Sequence, residues 1–132
     1  MSGSTAATRR TRRGSRSPSI WRGGEGMNTE NRLAMLREEH AKWSEETFGK
    51  VSAIGPAKHL SKEALEFASD PTDVMELADC QMLMWDMQRR AGISDERLAQ
   101  AIRIKLAVNQ SRLWPEPKEG EAREHLAERA GA

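Results

Sequence analysis

Apolar residues recur at intervals of three and four along most of the chain, and no stretch alternates convincingly between apolar and polar. The first spacing marks one face of a helix and the second would mark a strand, so the pattern predicts an all-α domain. A first helix is expected from about Thr29 to Glu46, with Leu33, Met35, Leu36, His40 and Trp43 along its apolar side. Gly49, Gly55 and Pro56 punctuate the next segment, which makes 48–55 a turn region. A second helix is expected from about Pro56 to Ala68, with the proline in a first turn where its missing N–H costs nothing. Asp70–Pro71 reads as the N-cap and first residue of a third helix reaching about Arg90, where Gly92 ends it. Ser94 caps a fourth helix that runs to about Leu113, before Pro115 and Pro117. The connections are short, so neighbouring helices should pack antiparallel in a bundle of about four. The tail, 118–132, is charged and has weak helical character from Glu119 onward.

Composition narrows the class. The chain has 132 residues, one small domain's worth, and its 31% charged residues leave little to bury. A homo-oligomer, dimer or tetramer, is therefore expected. No run of about 18 apolar residues is present, so no membrane span is expected. The basic N-terminus lacks the apolar stretch of a secretory signal. Cys80 is the only cysteine, which excludes an intrachain disulfide and a cysteine-based zinc site and suits a reducing cytoplasm. The near-neutral total hides an asymmetry. Residues 1–26 hold six arginines against one acid, whereas the chain from Met27 onward holds 15 basic and 19 acidic residues. The first stretch is rich in Ser, Gly and Arg and reads as disordered. It is either a basic arm for nucleic acid or an upstream extension of a chain starting at Met27; the helical pattern that opens at Met27 favours the second. Net negative charge from Met27 onward argues against nucleic acid as a partner.

The candidate chemistry lies on the second and third helices. Glu63 and Glu66 are three apart, as are Glu76 and Asp79, so each pair shares one helix face. The intervening turn is short enough for the two faces to oppose each other. Four carboxylates in one small volume repel unless a cation sits among them, and their oxygens are the hard ligands that Mg²⁺ or Mn²⁺ prefers. A single such pair is usually a solvated face; two pairs on consecutive helices, flanked by Leu65 and Leu77 pointing toward a core, are less common.

On the fourth helix Lys105, Asn109 and Arg112 recur on one face, a cationic surface suited to phosphate oxygens. Taken alone this is also an ordinary basic helix C-terminus. No glycine-rich phosphate loop is present, so helices must grip any phosphate. Trp43, Phe48 and Trp85 are candidates to stack on a base. Trp85 with Met82, Met84 and Met87 reads better as core. His40 and His59 are further candidate contacts. Cys80, one turn after Glu76, reads as packing.

The paired carboxylate motif resembles that of the MazG-like all-α nucleoside triphosphate pyrophosphohydrolases. The stretch from Trp43 to Gly49, the segment from Gly55 to Glu63 and the run from Lys105 to Pro115 narrow the resemblance. Together they are similar to the dATP/dGTP pyrophosphohydrolase family of phages and prophages, over about Leu33 to Pro117. The resemblance implies a MazG-like domain over 27–117 that hydrolyses a deoxypurine triphosphate to the monophosphate and diphosphate. It implies Mg²⁺, with Mn²⁺ as the alternative, and an oligomer. Carried over, Glu63, Glu66, Glu76 and Asp79 are the expected metal ligands. Lys105, Asn109 and Arg112 are the expected triphosphate contacts, and Trp43, Phe48 and His59 the base-binding candidates. Glu63 is the expected general base for water. Many MazG-like proteins have paired glutamates at the start of the first motif, whereas here Glu63 follows Lys62. The other reading from sequence is a nucleotide sensor with a degenerate site, against which the intact carboxylate quartet argues.

Overall fold

Local capping chemistry sets where each helix begins and ends. The computed structural model describes residues 26–126, and among them are four helices and no strand. They are α1 (Thr29–Phe48), α2 (Ile54–Ser69), α3 (Val74–Arg90) and α4 (Asp95–Ser111). The basic extension falls outside the described residues apart from Gly26, as does the tail beyond Glu121–Leu126. The expected disorder of the one and the end of the other therefore have no structural counterpart here. No described helix is long and apolar enough to cross a membrane.

The chain divides after Gly49 into two compact units. In the first, Asn28 caps α1 by accepting a hydrogen bond from the Asn31 N–H at 2.8 Å. Gly49 ends the helix at φ 73°, a conformation glycine adopts without a Cβ clash, and its N–H donates to the Glu45 carbonyl. Trp43 stands between His40 and Phe48, with ring centroids 5.8 Å and 5.5 Å away and the Phe48 contact edge-to-face.

In the second unit, α2 and α3 form a helical hairpin and supply its principal helix packing. Pro56 lies in the first turn of α2, where no intrahelical N–H is needed. The junction differs from the sequence expectation. Asp70 does not start α3; its own N–H donates to the Phe67 carbonyl and closes α2. Asp70 to Asp73 make a β-turn, with the Asp73 N–H donating to the Asp70 carbonyl at 3.0 Å and Pro71 at the second position. The cap of α3 is Asp73, whose carboxylate accepts from the Met75 N–H at 2.9 Å. An Asp–Pro pair suits a turn as well as a helix start, and three further residues place the second aspartate at the helix entrance. The far end of α3 is a Schellman motif. The Ile93 N–H donates to the Gln88 carbonyl and the Gly92 N–H to that of Arg89, with Gly92 at φ 72°. Ser94 caps α4, as expected, by accepting from the Arg97 N–H. That helix ends at Ser111, and no helix follows among the described residues of the tail.

The core differs most from expectation. Among the described residues no apolar side chain is buried. Leu65 is 71% exposed and Leu77 and Met84 are half exposed, so they do not point into a core within this chain. Every residue of α4 from Asp95 to Ala107 is exposed, including Leu98, Ile102, Ile104 and Leu106. The buried side chains are instead Ser44, Glu63, Glu66, Glu76 and Asp86. Alternation along a helix dictates which residues share a face; it does not dictate which face the neighbouring helix covers.

The helix entrance gives a direct test. Asp73→Ala should lower stability by about 1 kcal/mol, the usual loss of an N-cap, as measured by urea unfolding. Asp70→Ala should lose less, and a larger loss at Asp70 would restore the entrance expected from the sequence.

Candidate active site

The hairpin turn brings the inner faces of α2 and α3 together, and the carboxylates lie on those faces. Glu63 and Glu66 project from successive turns of α2, and Glu76 from the first turn of α3. Each offers one oxygen, and the three oxygens lie within 4.8 Å of one another. Glu76 is 1% exposed, and Glu63 and Glu66 are nearly as deep. Buried carboxylates at that separation are costly unless a cation shares the volume. An all-oxygen donor set of this kind suits a hard divalent ion such as Mg²⁺ or Mn²⁺.

Asp79 is not one of those three, but it belongs to the same neighbourhood. It is half-buried one turn after Glu76, with its Oδ2 fully buried. The Cys80 thiol lies within the field of the same carboxylates. Burial pushes its pKa above the ordinary thiol value, and the charges of Glu63, Asp79, Glu76 and Glu66 push it further. All four carboxylates therefore act on one sulfur atom.

His59 stands one turn before Glu63, with Nε2 3.3 Å from a Glu63 carboxylate oxygen. The expected base-binding candidate is thus placed beside a carboxylate of the acidic cluster. The other two candidates, Trp43 and Phe48, belong to the first unit, where both are about half exposed.

The cationic residues lie on the C-terminal half of α4 and at its exit. Lys105 and Asn109 line a shallow groove of about 350 Å³ along α4 with Leu98, Ala101, Ile102 and Leu106. None of the four carboxylates lines it. Arg112 lies just past the end of α4 with extended backbone, and its guanidinium folds back to donate to Asn109 Oδ1 at 3.4 Å. Its Nε is buried with no hydrogen-bond partner.

One buried acid had no place in the sequence reading. Asp86, seven residues beyond Asp79 on α3, accepts from Arg89 Nη1 at 2.9 Å. The seven-residue interval continues the Glu76–Asp79 stripe and was the available signal. Nearby, Arg90 Nη1 donates to the Val51 carbonyl and ties the end of α3 to the segment before α2.

Comparison with known proteins adds to this geometry. A solved MazG-like pyrophosphohydrolase of cyanophage S-2L, bound to dGDP and three catalytic Mn²⁺ ions per active site, superposes with a TM-score of 0.56. It is 29% identical in sequence and matches 72% of this chain and 97% of its own. The Eaa protein of Salmonella phage P22 is 58% identical over 93 residues, or 70% of this chain. Those residues are 29% of the Eaa protein, so the chain spans less than a third of that relative's length. The family model for dATP/dGTP pyrophosphohydrolase matches residues 36–132. With most of its length matched and a buried acidic cluster on a helical hairpin, the chain belongs to the dATP/dGTP pyrophosphohydrolase family.

Proposed function

We propose that this protein hydrolyses dATP and dGTP to the monophosphate and diphosphate with Mg²⁺, or Mn²⁺ in its place. The observation that carries this reading is the buried Glu63–Glu66–Glu76 cluster in a chain of this family. The MazG-like relative with dGDP and Mn²⁺ supports it.

Glu63, Glu66, Glu76 and Asp79 hold the metal in this reading. When bound, the divalent cation supplies positive charge against the triphosphate and polarises water. Glu63 orients a water molecule and accepts its proton as the water oxygen bonds to phosphorus. The phosphoanhydride bond between the monophosphate and diphosphate portions breaks, the portion that is not attacked leaves with the bridging oxygen, and monophosphate and diphosphate are released. Lys105, Asn109 and Arg112 contact the triphosphate, the two cations stabilising the charge that develops on it. In this reading the protein works in the cytoplasm of a bacterium or a phage-infected host, where its nucleotide substrate would be.

The working form in this reading is a homo-oligomer. Two observations support it: the absence of buried apolar side chains among the described residues and the exposed stripe of Leu98, Ile102 and Leu106 on α4. In proteins most helical stability comes from packing of one face, and the apolar face of α4 is exposed. A second copy supplies that packing.

Diphosphate release should be measured from a panel of deoxy- and ribonucleoside triphosphates with Mg²⁺ and with EDTA. Release from dATP or dGTP that EDTA abolishes is the expected result. No release from any triphosphate by folded oligomer would favour the sensor reading. Glu76→Gln keeps the shape of the side chain and removes its charge; turnover should fall by roughly 100-fold or more. Activity like that of the wild type would overturn the metal assignment. Sedimentation at micromolar concentration should show a dimer or tetramer, shifted toward monomer by Ile102→Glu. A monomeric wild type would overturn the assembly.

A further inference from the structure

The segment after α4 does not simply leave the helix. The chain leaves α4 at Ser111 through the extended Arg112, and Pro115 disfavours a return to helical backbone at Trp114. The indole then reaches back. Trp114 Nε1 donates to the Asn109 carbonyl at 2.8 Å. That carbonyl lies in the last turn, where no intrahelical donor remains, and its other donor is the Arg112 N–H at 3.2 Å. The outer side of the indole faces His125, with ring centroids 5.9 Å apart. The Leu126 N–H donates to the Leu113 carbonyl at 2.7 Å and closes residues 113–126 into a loop. Gly120, at φ 78°, supplies the reversal such a loop requires.

Asn109 is therefore held from two sides. Its carbonyl accepts from Trp114, and its side-chain oxygen accepts from Arg112. We propose that Trp114 is a positioning residue for the triphosphate, fixing the exit of α4 so that Asn109 and Arg112 present their polar groups together. The proposal rests on the phosphate-binding role given above to Asn109 and Arg112. Trp114 itself touches no substrate in it. Arg112 suits the part because its planar guanidinium carries several N–H donors in a fixed fork, and seating Nη1 on Asn109 Oδ1 orients the rest. Without the indole N–H, the last turn of α4 is left to fray, and Arg112 loses the fixed Asn109 oxygen it folds onto.

Steady-state kinetics on full-length variants test this. Trp114→Phe keeps a ring and removes the donor. It should raise KM for the preferred deoxynucleoside triphosphate about fivefold, the scale of one hydrogen bond, with kcat within about twofold. Trp114→His restores a ring N–H and should recover part of the loss. An unchanged KM in Trp114→Phe overturns the proposal. So does a parallel fall of kcat, nucleotide affinity and thermal midpoint with no recovery in Trp114→His, which marks a merely structural residue. Arg112→Ala separates the two levels. If its KM equals that of the wild type, the phosphate-binding reading fails. If it rises while Trp114→Phe is unchanged, only the positioning role fails.

Discussion

Like charges held close and away from water govern this fold. The Glu63, Glu66 and Glu76 oxygens lie within 4.8 Å of one another and are buried. At an effective dielectric constant of about 20, each charged pair at that separation repels by roughly 3 kcal/mol or more. Divalent cations turn the same arrangement from a liability into a binding site, because ligand, charge and burial then act together. The packing of α2 on α3 and the proposed chemistry thus rest on one electrostatic condition.

That condition explains the inverted look of the second unit. The inner faces of α2 and α3 bury carboxylates where an ordinary helical hairpin buries leucines, and apolar residues of these helices such as Leu60, Phe67, Met82 and Leu83 are only half-buried. Leu65 and Leu77 flank the acidic stripe and remain largely exposed. Along α4 the apolar side chains are uncovered over most of the helix. Hydrophobic burial is the principal driving force of folding, and a chain that withholds it from its own interior has apolar area left for association. The acidic centre and the expectation of assembly are two consequences of the same distribution of side chains.

Helix termini organise what lies around the centre. The β-turn at Asp70–Asp73 sets the offset between α2 and α3, and with it which carboxylates meet. The Schellman motif at Gly92 turns the chain sharply into α4. At the end of α4, Asn109, Arg112 and Trp114 are bound together by side-chain and main-chain hydrogen bonds. In each case a few capping residues set the direction of a whole helix, and that direction decides which distant side chains are neighbours.

Much of this was legible in the sequence because it is local. Helix periodicity, the Ser94 cap, the glycine stop at Gly92 and the spacing of Glu63 with Glu66 and of Glu76 with Asp79 depend on residues only a few positions apart. Those local rules sufficed for the helical class and for the acidic pairs, and the similarity of the longer segments pointed to the family. The sequence could not say that Asp73 rather than Asp70 opens α3, since both are competent caps and only the closed turn chooses between them. Nor could it show that Leu65 and Leu77 face outward. Periodicity gives the relative angle of side chains on one helix, whereas burial depends on which face a second helix meets. Nothing short-range marked Trp114 as the donor to Asn109, because that contact exists only after the chain has left α4 and turned back.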